Sequence, residues 1–235
     1  MGAGDMSNAG NGVTTAEIKD LVERLAEFDP ASLFEAAGQR GMLDPRIRPA
    51  WPSARLCGQA VTVECPPGDN LMLHVAVAHA PRGAVLVANA GSYALAGAWG
   101  EILTAAAQAR GIAGLVIDGA VRDIEAIEAA GFPVFSRGRA IGSCTKERVG
   151  RYNVPVQVGG ARVCPGDVIL GDGDGLVVVE RQQLVEVYRA ALVRRDRERE
   201  LIVQLKSGRT TLELLGLTDP LPHLGAATDR AEDDV

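Results

Sequence analysis

Two short stretches concentrate the residues able to hold a small anion or a metal ion. The first runs from Asn89-Ala90-Gly91-Ser92 to Gly97-Ala98-Trp99-Gly100-Glu101, and the second is Asp118-Gly119-Ala120-Val121-Arg122-Asp123. A glycine-flanked helix start at Gly100-Glu101 would present free backbone N–H groups and a positive dipole end, suited to a carboxylate or phosphate. An Arg beside an Asp offers a bidentate carboxylate clamp next to a ligand for a divalent cation. Asp123 reads equally well as the cap of a helix beginning at Ile124, with Arg122 paired locally. Considered together, Glu101 and Asp123 are expected at helix N-termini after neighbouring parallel strands, facing one cleft with Arg122 between them. Two carboxylates, a guanidinium and an anion pocket suit a divalent metal chelating a small keto acid. Phosphate binding is the competing use, but neither GxxxxGK[ST] nor GxGxxG occurs.

Other chemistries find fewer parts. Of 24 basic residues only three are lysines, Lys19, Lys146 and Lys206. A Schiff-base enzyme needs a desolvated lysine. Lys19 and Lys206 fall in terminal helices, leaving Lys146 alone. No GxSxG occurs, and His74 and His79 lie five apart on one expected helix, on roughly opposite faces. Cys57, Cys65, Cys144 and Cys164 form no CxxC pair and have no histidine at a zinc spacing, so buried free thiols in a reducing compartment are expected.

The elements that must position these residues follow from hydrophobic pattern. Thr14 to Phe28 and Ala31 to Ala37 read as helices, the second ended by Gly38. Strands are expected at Leu56–Val63, Ala84–Asn89, Gly114–Asp118 and Pro133–Ser136, and helices at Asn70–Ala80, Gly100–Arg110 and Asp123–Ala130. Apolar, β-branched strands alternating with ten-residue helices indicate a βαβ sheet covered on both faces. After Tyr152 a run of short strands is expected, with turns at Gly159-Gly160, Pro165-Gly166-Asp167 and Asp172–Gly175, then a long helix from Gln182 to Lys206. Its stretch Arg194–Glu200 is charged on every face and must meet solvent or a neighbouring subunit.

Composition bounds the partners. The 235 residues carry a formal net charge of −6 with 4% aromatics, which argues against nucleic acid, an anionic membrane or a base-stacking platform. No apolar run approaches the ~20 residues of a membrane span. The N-terminal residues lack the basic and apolar regions of a signal peptide, so a cytoplasmic protein is expected. Residues 1–13 and 224–235 read as disordered, leaving a single domain over 14–223.

Residues 97–138, GAWGEILTAAAQARGIAGLVIDGAVRDIEAIEAAGFPVFSRG, resemble the signature stretch of the RraA-like family. That family includes the regulator of ribonuclease E activity A and the class II 4-hydroxy-4-methyl-2-oxoglutarate/4-carboxy-4-hydroxy-2-oxoadipate aldolases. The similarity extends from about Ala16 to Leu217, through Pro165-Gly166-Asp167 and Asp172–Gly175. In the aldolases an acidic residue, usually Asp, is followed after twenty intervening residues by Arg-Asp; here twenty residues separate Glu101 from Arg122-Asp123. The regulator branch resembles Gly at the first position and an acid three residues after the aspartate, where this chain has Glu101 and Ala126.

The resemblance implies an α/β fold with a mixed sheet in three layers, of the swivelling β/β/α type, with added N- and C-terminal helices. It implies a homotrimer or homohexamer acting on a small-molecule 2-keto acid. Asp123 would hold Mg²⁺ or Mn²⁺, largely through waters. Arg122 and the backbone N–H groups of Gly100 to Ile102 would bind the pyruvyl carboxylate, and Glu101 would orient or deprotonate a water acting as base. An acidic residue of the last long helix, Glu198, would reach a neighbouring subunit's site, and Glu35 would approach the site. The implied activity is retro-aldol cleavage of 4-hydroxy-2-keto acids to pyruvate, with oxaloacetate decarboxylation. The alternative is a non-catalytic regulator of the ribonuclease E inhibitor type.

Overall fold

Apolar runs long enough to be buried on both faces become the central strands. The computed structural model describes residues 15–221. It contains helices α1 (Thr15–Leu25) and α2 (Pro30–Ala36), then β1 (Arg48–Pro49), β2 (Leu56–Glu64), α3 (Leu71–His79) and β3 (Val85–Trp99). There follow α4 (Glu101–Ala109), β4 (Gly114–Val121), α5 (Ile124–Ala129), β5 (Val134–Arg139), β6 (Arg151–Tyr152), β7 (Val156–Val158) and β8 (Ala161–Val163). The chain continues through β9 (Val168–Gly171), β10 (Leu176–Val179), α6 (Leu184–Lys206) and α7 (Thr211–Leu215). Residues 1–13 and 224–235, expected to be disordered, lie outside the described residues.

Up to Ala191 the described chain forms one unit. Its main sheet has the order β1-β5-β4-β3-β2-β9-β10, with β6 also paired to β2. Strands β2 to β5 are mutually parallel, whereas β1, β6 and β9 pair antiparallel with their neighbours. Every residue of β4 is buried, as a strand covered on both faces requires. On one face Leu86, Ala88, Leu115 and Ile117 pack with Leu73, Val77, Leu103 and Ile127 of α3, α4 and α5. On the other, Val85, Val87, Val116 and Phe135 pack with Val156, Val158 and Val163 of the β7–β8 hairpin. Hairpin, sheet and helices make the three layers. Burying each such aliphatic side chain contributes about 1.5–3 kcal/mol, so this double-sided core holds the strand ends in place.

The described residues from Leu192 form a second unit, the later part of α6 with α7. Its charged run contains the i,i+4 pair Arg194–Glu198 at 2.7 Å. Thr210 and Glu213 form a reciprocal capping box that starts α7. No described helix is long and apolar enough to cross a membrane.

Two expectations need correction. The strand expected to stop at Asn89 runs on to Trp99, because its partner β4 keeps offering hydrogen bonds. Register partners jump from Asn89↔Asp118 to Tyr93↔Gly119, Gly97↔Ala120 and Trp99↔Val121, so β3 bulges outward while β4 barely advances. The strand expected to end at Asp118 likewise runs on, to Val121. Asp118 sits inside β4, and its carboxylate turns to the hairpin side of the sheet, where it accepts the Gly159 N–H at 2.9 Å.

Candidate functional site

Trp99 fastens the end of β3. Its buried indole stacks on Phe132 with ring centroids 5.9 Å apart, and its N–H donates to Thr104 Oγ1 at 2.8 Å. The same residue's carbonyl accepts the Arg122 N–H at 2.9 Å. One core residue thus fixes both the start of α4 and the exit of β4.

Between those two points the backbone comes unusually close. A Cβ on Gly100 would lie 2.3 Å from Asp123 Oδ2 and 3.1 Å from Arg122 Cγ. One on Gly97 would lie 2.6 Å from Ala140 O and 2.9 Å from Arg122 Cβ. Glycine is needed here for space, since Gly100 itself is extended, at φ −161°.

Asp123 settles between its two sequence readings. It occupies the cap position of α5 in the left-handed region, φ +56° and ψ +43°, and makes no side-chain capping bond there. Non-glycine residues adopt this region seldom, and it concentrates at functional sites. The turn sends the carboxylate to the other helix, where Oδ2 accepts the Glu101 N–H at 3.1 Å. Arg122 Nε lies 3.6 Å from the same oxygen. The first N–H of α4, expected to be open for an anion, is therefore occupied by Asp123. Arg122 also donates from Nη1 to Ser143 Oγ at 3.4 Å. Both partners of the Arg122–Asp123 pair are about 40% exposed, so the pair contributes little stability and stays open to a ligand.

These residues open on a pocket of about 670 Å³, lined by Leu95, Arg122, Asp123, Ile124, Arg139 and Ile141 among others. The bulged part of β3 supplies Leu95, and the chain after β5 supplies Ile141. Leu95 and Ile141 are 75% and 97% exposed, an apolar rim beside Arg122, Asp123 and Arg139. Arg139 escaped the sequence reading because an arginine closing a strand carries no signal of its own.

Behind the pocket lies a polar cluster that sequence reasoning also missed. Asp118 accepts from Arg137 Nε and Nη2 at 2.5 and 3.1 Å and from the Ser92 hydroxyl at 2.9 Å. Arg137 Nη1 reaches Asp44 Oδ2 at 3.0 Å. Burial would raise the Asp118 pKa, but Arg137, the Gly159 N–H and Ser92 hold it below the usual carboxylate range. Ser92, at φ +56°, belongs to the bulged part of β3, so this cluster ties the pocket wall to the core.

The remaining candidates stand elsewhere or apart. Glu35 is exposed on α2, which packs on β10, three strands from β3 in the sheet order. Glu198 belongs to the second unit and pairs with Arg194. Burial pushes the Cys57 and Cys65 thiols up to about 12, which disfavours either as a nucleophile. Burial, then the Lys146 ammonium, holds the His74 imidazole below its usual pKa.

Asp123 is the one acidic side chain whose placement favours a cation here. Among the described residues no three His, Cys, Asp or Glu side chains converge as a metal cage. Asp123 Oδ1 makes no hydrogen bond among them, while Oδ2 is fixed by the Glu101 N–H. A single oriented carboxylate oxygen suits a hard cation that keeps most of its waters, as Mg²⁺ does.

Comparison with known proteins bears on the family and the fold. A protein of Halalkalibacterium halodurans named "Putative 4-hydroxy-4-methyl-2-oxoglutarate aldolase" is 35% identical over 179 residues, 76% of this chain and 85% of that one. An uncharacterized protein from Pseudomonas syringae pv. tomato superposes with a TM-score of 0.74 at 34% identity, covering 82% of this chain and 94% of that one. A Streptomyces coelicolor protein described as an unusual member of the RNase ES inhibitor RraA protein family superposes at 0.70 with 26% identity, over 77% and 94% of the two chains. The RraA-like family model, Aldolase/RraA, matches residues 15–178, which span α1, the parallel strands and both stretches that form the site. By that match, and by the relatives that share its sheet, the chain belongs to the RraA-like family.

Proposed function

We propose that the chain is a divalent-metal-dependent lyase. It would cleave 4-hydroxy-2-keto acids of the 4-hydroxy-4-methyl-2-oxoglutarate type to pyruvate, and decarboxylate oxaloacetate. The observation that carries this reading is the Asp123 carboxylate drawn across Gly100 onto the α4 N-terminus, with Arg122 beside it at the pocket mouth. An aldolase-named relative at 35% identity supports it. The inhibitor-type reading is disfavoured by Glu101 and Ala126, where that branch resembles Gly and an acid.

Asp123 would hold Mg²⁺ or Mn²⁺. Bound there, the ion supplies Lewis-acid polarisation of the 2-keto group. The chain's own residues do the rest. Arg122 binds the pyruvyl carboxylate and offsets the negative charge that develops as the C3–C4 bond breaks. Ile102, in the first turn of α4, offers an N–H without an intrahelical acceptor to the same carboxylate. Glu101, through a water, accepts the proton of the C4 hydroxyl. The electron pair of the broken bond forms the pyruvate enolate, which takes a proton at C3, and the other fragment leaves as a carbonyl compound. With oxaloacetate the leaving fragment is CO₂ and no hydroxyl proton need be removed.

In this reading the enzyme works as a homotrimer or homohexamer in the cytoplasm. The exposed Leu95 and Ile141 form an apolar rim of the kind that a second copy covers. Glu198 would serve the site of a neighbouring copy.

The test is pyruvate release from 4-hydroxy-4-methyl-2-oxoglutarate and from oxaloacetate, with Mg²⁺ and with EDTA, for wild type and Arg122→Ala. Turnover that needs metal and collapses in the variant is expected. Wild-type protein that forms no metal-dependent pyruvate from either would end the proposal.

A further inference from the structure

The pocket that opens at Arg122 holds a second guanidinium. Arg139 ends β5 in register with Val121, the residue before Arg122, and both arginines line the same pocket. Neighbouring strands lie about 4.8 Å apart, so the two long side chains start from adjoining strand ends. Among the pocket's lining residues these two are the only cations, and Asp123 is the only carboxylate.

Arg122 has work in the reaction already. Arg139 has none, and although its side chain is exposed at the pocket, it is held in place. Its Nη2 donates to the Ala50 carbonyl at 2.8 Å, which anchors the guanidinium at one corner. Its Nε and Nη1 have no hydrogen-bond or ion-pair partner among the described residues. A guanidinium tethered at one corner, with donors in reserve, is arranged for a carboxylate, which it can bind through two parallel N–H···O bonds. The remaining lining, with Leu95, Ile124 and Ile141, is apolar and would cover carbon between two charged ends.

We infer that Arg139 is a specificity-determining residue that binds the distal carboxylate of the substrate. The site thereby selects dicarboxylic over monocarboxylic 4-hydroxy-2-keto acids. This rests on the lyase reading, in which Arg122 takes the carboxylate next to the keto group. In a five-carbon diacid the two carboxyl carbons are separated by four C–C bonds of about 1.5 Å, a span of roughly 5 Å. Two long side chains that start from adjoining strand ends can both reach such a diacid within one pocket. Asp123, with the ion it would hold, and Arg122 serve the keto-acid end, so Arg139 is the cation left in the pocket for the distal carboxylate.

Two substrates with the same reacting centre separate recognition from chemistry: 4-hydroxy-4-methyl-2-oxoglutarate, and 4-hydroxy-2-oxopentanoate, which lacks the distal carboxylate. Arg139→Gln is expected to lower the diacid-to-monoacid ratio of kcat/KM about 30-fold, the loss of one charge-assisted contact, mostly through KM for the diacid. Arg139→Lys, which keeps the cation but not the fork, is expected to recover part of that ratio. A fall in both substrates alike, as a merely structural loss of the Ala50 bond would give, overturns the inference, as does an unchanged ratio. If wild type turns over neither substrate, the lyase reading fails, and calorimetry with 2-oxoglutarate and 2-oxobutyrate in Mg²⁺ then decides. Wild type binding the diacid at least tenfold more tightly, with that preference lost in Arg139→Gln, supports the inference. No preference in wild type, or one retained in the variant, overturns it.

Discussion

Substituting Gly100 by alanine isolates the geometry of the site from the stability of the fold. The residue is extended, a backbone open to any side chain, so Gly100→Ala imposes no conformational strain and lowers the entropy of the unfolded chain. The whole cost falls on contacts. The added Cβ would lie 2.3 Å from Asp123 Oδ2, more than ~1 Å inside ordinary contact, and 3.1 Å from Arg122 Cγ. The carboxylate is the free end of a side chain and can swing away, so folding should be little affected. Swinging away breaks the 3.1 Å bond from the Glu101 N–H and moves the proposed metal ligand by about 1 Å. Misplacement on that scale costs on the order of 100-fold in rate, or about 2.7 kcal/mol of transition-state stabilisation. The expected outcome is a melting temperature within a few degrees of wild type and kcat/KM for pyruvate release down about 100-fold. Gly173→Ala is the control, because a Cβ there meets nothing within 4 Å. Near-wild-type turnover by Gly100→Ala would refute the reasoning, since the Asp123–Glu101 contact would then be incidental. Unfolding would refute it differently, by showing that the contact is part of the core.

Three further outcomes follow from the same geometry. Asp118→Ala leaves the Arg137 guanidinium, only 14% exposed, without its main partner, and should destabilise by about 3–5 kcal/mol, lowering the melting temperature by roughly 10 °C; calorimetry with Asp44→Ala alongside checks it, and a shift under 2 °C (about 0.5 kcal/mol) would contradict the account. Asp118 has its pKa lowered in the folded chain, as do Asp44, chiefly by Arg46, and Asp69, where backbone N–H groups and Thr145 outweigh burial. The unfolded chain therefore binds protons more tightly, so the stability these carboxylates provide is complete well above pH ~4 and drains away as pH falls through the folded values. Urea midpoints that decline steadily below about pH 4 are expected, and a flat profile from pH 6 to 3 would count against it. Glu101→Asp should raise aldol cleavage relative to oxaloacetate decarboxylation by several-fold, because only the aldol needs a base at the C4 hydroxyl and the shorter acid restores the family's usual residue there. Equal changes in both rates would remove Glu101 from that role.

Periodicity and glycine placement in the sequence are enough to read the parallel strands, the helices that follow them and the short-strand half after Tyr152. Those elements are set by local pattern: continuous apolar runs at Ala84–Asn89 and Gly114–Asp118, and turn residues at Gly159-Gly160 and Asp172–Gly175. The pairing of Glu101 with Arg122-Asp123 was legible too, because their spacing is a property of the chain. What only the tertiary structure decided is where each group points. The sequence offers Asp123 as a helix cap, and its left-handed backbone turns the carboxylate to Glu101 instead. Asp118, four residues before Arg122, opens the same candidate stretch, yet strand pairing keeps it inside β4 and a largely buried arginine from β5 claims it. The long bulge of β3 depends on how far β4 and Ser92 hold it, contacts between residues 22 or more apart in the chain. Arg139 enters the pocket only because β5 lies in register beside β4. Local sequence fixes which backbone conformations are cheap; side-chain direction at a strand exit is fixed by neighbours that are distant in the chain, and those neighbours exist only once the sheet has formed.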